Sequence, residues 1–237
     1  MSDRTPERQT GAENTGYSHR YVIIVALFVT CLIVANITAV KLVGTFGLVF
    51  DAGTIIFPFS YIFGDVLTEV YGFRRARQVI WLGFLCNLLA VCVISIGLIL
   101  PAASFWDGQA AYERILGYAP RLLGASFCAY LVGELANSMV LARMKVATEG
   151  RWLWSRTIGS TLVGQGFDSL VFVLIAFTGA IPTSALVSVI LTQWILKSGY
   201  EALATPFTYL VVGRLKRAEG VDVYDRDTNF SPLPTGR

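Results

Sequence analysis

Asp65 and Glu69 stand four residues apart in an otherwise apolar run, with Tyr61 one helical turn before them, so one helix face would carry two carboxylates and a phenol. Glu134, Asn137 and Ser138 form a second face of this kind, and Gln165 with Asp168 a third at i, i+3 spacing. Gln193, Lys197 and Glu201 make a fourth at i, i+4, i+8, continued by Thr205 and Thr208. An ionisable group near the centre of a bilayer costs about 2.5–3.5 kcal/mol on insertion scales unless it is paired or faces a wet cavity, so such residues mark sites that handle polar substrates, ions or protons. At 1.5 Å rise per residue Asp168 falls about 17 Å from one end of its apolar run and Lys197 about 20 Å from the opposite end of the next, which puts both in the middle layer.

Within these runs five carboxylates, Asp65, Glu69, Glu134, Asp168 and Glu201, stand against two bases, Lys41 and Lys197. Helix-to-helix glue requires no acidic excess, so the chemistry expected is acceptance of hydrogen bonds from a donor-rich ligand, or proton uptake. Tyr61, Trp194 and Tyr200 add flat surfaces on which a planar ring could stack. Each feature also has a plain structural use. Lys197 with Glu201 is a favourable helical pair, Glu69 can reach Arg74 or Arg75, amides often join helices, and aromatic side chains pack in any core.

Other chemistries are excluded or unsupported by residue type. His19 is the only histidine, which removes Ser-His-Asp and Cys-His catalysis and imidazole metal clusters. There is no GxxxxGK[ST] phosphate loop and no GxSxG elbow, so neither a nucleotide-hydrolysing engine nor a hydrolase nucleophile is present. No catalytic residue, metal site or cofactor is expected. Cys31, Cys86, Cys92 and Cys128 sit in apolar runs without a CxxC pair and read as packing thiols. The basic residues gather at segment ends instead of forming a stripe among aromatics, which suits lipid headgroups and not nucleic acid.

The elements that must position these faces follow from composition. The 237 residues are 54% hydrophobic and only 15% charged, with mean hydropathy +0.60, whereas soluble domains carry about a quarter charged residues. The fold class expected is all-α, a polytopic membrane protein with six transmembrane helices and both termini cytoplasmic. The spans are Tyr21 to Leu42, Ala52 to Val70, Ala76 to Leu100, Pro120 to Leu141, Thr157 to Ile181 and Ser184 to Val212, each near the ~20 residues that cross a hydrocarbon core. Pro58, flanked by Gly53 and Gly64, is expected to bend or break the second. Orientation follows from Arg4, Arg8 and Arg20; Arg74, Arg75 and Arg77; Arg143, Lys145, Arg151 and Arg156; and Arg214, Lys216 and Arg217, which all fall on one side of a six-span chain.

Residues 1–20 read as a disordered cytosolic tail, 21–213 as the six-helix transport domain, and 214–237, with Pro232 and Pro234, as a second cytosolic tail without structure. The loop from Ala102 to Ala119 carries Trp106, Tyr112 and Tyr118 and reads as an interfacial anchor, with a lid over the site as the sharper alternative. Ala35 and Ala39 make a small face on the first helix suited to close helix contact.

The segment FPFSYIFGDVLTEVYGFRRAR from Phe57 to Arg77 resembles the motif of the vitamin uptake transporter family, the bacterial queuosine precursor transporters. VGELANSMVLARMK from Val132, GRWLWSRTIGSTLVGQGFDSLVF from Gly150 and KSGYEALATPFTYLVV from Lys197 resemble its later motifs. The resemblance implies an inner-membrane importer of 7-cyano-7-deazaguanine and 7-aminomethyl-7-deazaguanine, salvaged for a modified tRNA nucleoside. It carries functional positions onto Asp65, Glu69, Glu134, Asn137, Gln165, Asp168, Lys197 and Glu201. It also implies a likeness to the six-helix binding components of energy-coupling-factor systems, in which an Ala-xxx-Ala face docks a partner, a role Ala35 and Ala39 fit loosely.

Three function classes follow: a stand-alone importer, a membrane binding component that needs a separate ATP-driven module, and an intramembrane enzyme, which no nucleophile or metal set supports. The partners expected are the deazapurine and the lipid bilayer, with a homodimer compatible with both. The detailed expectations are that Asp168 or Glu201 holds Lys197, and that Glu134 or Asp168 accepts the purine edge in bidentate fashion. Gln165 and Asn137 complete the polar ring, Asp65 or Glu69 serves the aminomethyl cation or a proton, and Tyr61 and Trp194 supply ring faces.

Overall fold

The computed structural model describes residues 18–38, 41–45, 48–117, 120–179 and 182–233. Helix α1 (His19–Thr38) leads into an antiparallel hairpin, β1 (Leu42–Thr45) with β2 (Leu48–Asp51), in register Leu42 opposite Asp51 and Thr45 opposite Leu48. A one-turn 3-10 helix (Ala52–Ile55) and α2 (Phe57–Tyr71) follow. Then come α3 (Phe73–Ile99), the short α4 (Gln109–Leu116), α5 (Pro120–Ala147), α6 (Leu153–Phe177) and α7 (Thr183–Glu219). The membrane-helical class expected from composition is what the chain adopts, with the hairpin as the departure from it.

The ends of the elements have local causes. Pro58 breaks the second span, one of the two outcomes expected of it, and does not bend it. It sits in the first turn of α2, where its missing N–H would be unpaired in any case, so it starts the helix and splits the expected Ala52–Val70 segment in two. The 15 residues of α2 reach about 22 Å, short of a ~30 Å core. Between α2 and α3 the chain turns at Gly72 (φ 84°), a conformation costly for any residue with a β-carbon. Helix α7 ends at Gly220 (φ 64°), whose N–H returns to the Lys216 carbonyl.

Burial runs opposite to that of a water-soluble bundle. The deepest layer holds Asp65, Thr68, Glu69, Glu134, Asn137, Ser138, Gln165 and Ser169 alongside apolar residues such as Phe28, Leu141 and Val173, while Leu85, Leu89 and Val93 of α3 and Ile195, Leu196 and Leu203 of α7 point outward. Large apolar side chains facing outward along whole helices, with so many polar groups buried, suit a hydrocarbon solvent. Among the described residues four helices, α1, α3, α6 and α5 from Gly124, are long and apolar enough to cross a membrane. An apolar cluster of Tyr21, Ile24 and Phe28 from α1, Val66 and Val70 from α2, Ile80 from α3 and Leu215 from α7 seals one end of the bundle. There the Arg20 guanidinium donates to the Ala218 carbonyl at 2.6 Å, so the start of α1 and the end of α7 lie together.

The segment after α7 is not a loose tail. The Val223 N–H donates to the Val70 carbonyl at 3.2 Å. Asp225 accepts from the Phe73 N–H at 2.9 Å, capping the start of α3. Arg77 donates to the carbonyls of Asn229 and Ser231, and Trp81 to that of Pro232. Polar composition suggested no structure, but these partners lie far away in sequence and local pattern cannot reveal them. Residues 1–17 lie outside the described residues, as do Ala39, Tyr118 and Ala119. Of the expected small face on α1, Ala35 is buried against the bundle. Cys92 and Cys128 lie on the exposed surface instead of packing inside.

Candidate functional site

The site is built where α5 crosses α6 with backbone against backbone. A β-carbon on Gly133 would lie 2.8 Å from Asp168 Cβ and 3.0 Å from the Gly164 carbonyl oxygen. One on Gly164 would lie 2.6 Å from Asn137 Cβ and 3.0 Å from the Gly133 carbonyl oxygen. This contact sets Glu134 and Asn137 of α5 beside Gln165 and Asp168 of α6, which neither helix could achieve with larger residues at the crossing. Gly64 performs the same service on α2, leaving open the space that Glu134 enters.

Four helices contribute. From α2, Asp65 accepts a hydrogen bond from the Asn137 amide at 2.8 Å. From α7, Glu201 accepts from the Thr161 hydroxyl at 2.8 Å and the Gln165 amide at 3.0 Å. Lys197 of α7 bonds Asp168 of α6 at 2.5 Å, so of the two acids expected to hold it, Asp168 does. Tyr61 is buried on α2 among the charges of Asp168, Glu134 and Glu201. Eight of the ten expected residues, Tyr61, Asp65, Glu134, Asn137, Gln165, Asp168, Lys197 and Glu201, thus meet in one polar set.

Its unmet valences are all on oxygen. Among the described residues, Glu134 Oε1, Asn137 Oδ1 and Gln165 Oε1 are buried without a hydrogen-bond partner, as are the hydroxyls of Ser169 and Ser198. A carboxylate only accepts, so the NH2 groups of Asn137 and Gln165 must face Asp65 and Glu201, and their carbonyl oxygens are left pointing away. Burying an acceptor without a donor costs about 1–3 kcal/mol, and the set holds three. A ligand presenting several N–H groups would satisfy them together.

Two expected members lie elsewhere. Glu69, one turn beyond Asp65, is the hub of an ion cluster. Its Oε1 accepts from Arg156 at 2.7 Å and from Lys216 at 2.7 Å, and Lys145 stands 3.8 Å away. Lys145 also bonds the Glu69 carbonyl at 2.5 Å and Asp222 at 2.5 Å, with Lys216 2.9 Å from Asp222. Arg74 and Arg75, the partners suggested by proximity in sequence, are replaced by residues of α5, α6 and α7. Trp194 turns to the other side of α6, where it lines a groove with Leu162, Gly166, Phe167 and Leu170 and donates to the Leu162 carbonyl at 2.8 Å. Tyr200 is exposed.

Sequence reasoning missed Thr161, the three glycines and the cluster around Glu69. The glycines stand inside the motifs GDVLTE, GELANS and GQGFD, so the signal was available as a small residue one place before or after each polar one. Lys145, Arg156 and Lys216 could not be told from ordinary loop-flanking bases, because their burial depends on which helix ends come together.

A helical bundle with an apolar surface and a buried, acceptor-rich polar set reached from four helices defines a multi-pass membrane protein, and its family makes it a transporter and not an enzyme. The chain belongs to the vitamin uptake transporters, the family described as "Putative vitamin uptake transporter", which it matches over residues 51–211. It is similar to a "Probable queuosine precursor transporter" of Bacillus subtilis (strain 168), 31% identical over 176 residues, 74% of this chain and 77% of that one. It is likewise similar to the "Queuosine precursor transporter" of Escherichia coli (strain K12), 32% identical over 125 residues, 53% of this chain and 54% of that one. A "Probable queuosine precursor transporter" of Haemophilus influenzae (strain ATCC 51907 / DSM 11121 / KW20 / Rd) is 28% identical over 145 residues, 61% of this chain and 59% of its own. No solved structure matches the chain.

Proposed function

We propose that the chain is a stand-alone importer of queuosine precursors, 7-cyano-7-deazaguanine and 7-aminomethyl-7-deazaguanine, across the inner membrane of a bacterial cell. α1, α2 together with the 3-10 turn before it, α3, α5, α6 and α7 are the six passes, with both termini cytoplasmic; that turn makes up the length that α2 lacks by itself. The return of α7 to the start of α1 supports an even number of passes, and the gathering of Arg156, Lys145 and Lys216 at that end supports its cytoplasmic placement. The names of the relatives support the substrate class.

The observation that carries the reading is the trio of donorless acceptors, Glu134 Oε1, Asn137 Oδ1 and Gln165 Oε1. A 7-deazaguanine presents N1–H and an exocyclic NH2 side by side, which a carboxylate accepts in bidentate fashion, and its remaining N–H bonds suit the two amide oxygens. With Asp168 committed to Lys197, Glu134 is the bidentate acceptor in this reading, and Tyr61 is the aromatic neighbour of the ring. Adenine lacks the paired donors and would leave these acceptors buried and unmet.

Purified protein alone in proteoliposomes, without ATP, is expected to take up radiolabelled 7-cyano-7-deazaguanine, with excess guanine-type bases competing and adenine not. Uptake that needs an added ATP-driven module, or equal competition by adenine, would overturn the proposal.

A further inference from the structure

We infer that this same site holds one proton, shared between Glu134 and Asp65, and that the proton crosses the membrane with the substrate; the inference rests on the substrate reading above. It begins from the distribution of charge. Four carboxylates meet in the set, and its ammonium, Lys197, is taken by Asp168. Glu201 has a donor on each oxygen, from Thr161 and Gln165, which suits an anion. Asp65 has the Asn137 amide. Glu134, only 1% exposed, has no donor on Oε1 and rests against the α2 backbone at Gly64.

The groups facing Glu134 are acids and phenols: Asp65 and Tyr61 from α2, Asp168 from α6, Glu201 from α7 and Tyr130 from α5 itself. Asp65 feels Glu201 and Glu69 besides. Two carboxylates that share a dry site do not both ionise, so one of them keeps a proton. In the empty site Glu134, with the fewest donors, keeps it. The purine edge needs Glu134 as an acceptor for two N–H bonds, so on binding the proton leaves the Glu134 oxygen for Asp65, the adjoining acid. Both remain inside the set, no other reactant is required, and the loaded site carries one substrate and one proton. The neutral cyano substrate would then move one positive charge per molecule.

Three measurements on the full-length protein separate the possibilities. Counterflow exchange of 7-cyano-7-deazaguanine in proteoliposomes without any gradient tests the substrate reading by itself. With voltage clamped at zero, an inward pH gradient of one unit is expected to raise the accumulation ratio about tenfold, as one coupled proton requires. The infrared carboxylic-acid band of the purified protein at pH 7 is expected to be present, to shift without vanishing when the substrate is added, and to be altered in both Glu134→Gln and Asp65→Asn. Exchange with accumulation indifferent to the gradient overturns the coupling. A missing acid band, or one changed by neither variant, overturns the proton site whatever the substrate. A band with no exchange leaves the proton site standing and refutes the deazapurine reading and co-transport with it. If one variant fails to assemble, the other together with the wild-type gradient result decides.

Discussion

Oε1 of Glu134 lies so close above Gly64 that a β-carbon there would stand 2.0 Å from it. The atoms in the way are the far end of one flexible side chain, Oε1 and then Cδ of Glu134 at 3.2 Å, and the nearest other residue is Phe28 at 3.6 Å. Gly64→Ala is therefore expected to swing the Glu134 carboxylate aside with little cost to the fold. Thermal unfolding in detergent should stay within a few degrees of wild type, while deazapurine uptake at matched membrane abundance falls at least tenfold, about 1.4 kcal/mol of lost recognition. Full uptake in Gly64→Ala would mean that the position of this carboxylate is immaterial.

Gly164→Ala meets a different obstacle. Its β-carbon would press on Asn137 Cβ at 2.6 Å and on backbone oxygen of α5 at 3.0 Å, and neither can rotate away. Overpacking of this kind typically costs about 1–3 kcal/mol, so the variant should unfold at lower temperature, with Gly133→Ala behaving alike. Unfolding unchanged in both would show that α5 and α6 have slack at their crossing.

The contrast between these glycines marks how far the sequence could be read. Polar faces at helical spacing on Asp65, Glu134, Gln165 and Glu201 were legible because a carboxylate in an apolar run has few purposes. That they converge was an inference from their shared depth, and the helices that bring them together do so through glycines, which carry no polarity to notice. Glu69 shows the limit. Its spacing from Asp65 is that of a site residue, and only the tertiary approach of Arg156 and Lys216 draws it into an ion cluster apart from the polar set. The hairpin from Leu42 to Asp51 has too few residues per strand to stand out from a loop.

Lys197 and Asp168 should behave as a unit. Lys197→Met leaves the Asp168 carboxylate, whose side chain is 9% exposed, without its cation. Removing one partner of a buried pair typically costs about 3–5 kcal/mol, here reduced because the Lys197 side chain is 29% exposed. Lys197→Met is expected to lower abundance and melting temperature, and Lys197→Met with Asp168→Asn to recover a good part of both. A double variant no more stable than the single one would show that the bridge is not what Lys197 contributes.

The segment beyond α7 should open in acid. Burial pushes the Asp222 carboxyl up, but its bonds to Lys145 and Lys216 outweigh this and hold it below the usual aspartate range. A carboxyl lowered by folding contributes stability that is complete above the unfolded value, about 3.9, and is lost as pH falls through the lower folded one. Hydrogen exchange at Val223, corrected for intrinsic rates, should stay slow from pH 8 to about 4 and quicken only below that. In Asp222→Asn it should already be faster at neutral pH. Protection that fades between pH 7 and 5 would point to another titrating group.

Glu69 is expected to act as a structural anion and not as a ligand-binding one. Its Oε1 is shared by Arg156, itself 1% exposed, and by Lys216, with Lys145 close by, and Asp222 is the other anion of the cluster. Glu69→Gln would leave three cations around one half-exposed carboxylate, and uncompensated charge at this depth is expensive whether or not substrate is present. The expected result is loss of folded protein from the membrane, a drop in melting temperature of the detergent-purified remainder, and partial rescue by Glu69→Asp. If Glu69 served the substrate instead, Glu69→Gln would assemble normally and fail only in uptake, with the 7-aminomethyl substrate affected more than the 7-cyano one because only the former brings a cation. Parallel measurement of abundance, melting and uptake of both substrates distinguishes the two, and normal assembly with selective loss of the aminomethyl substrate would return Glu69 to the site.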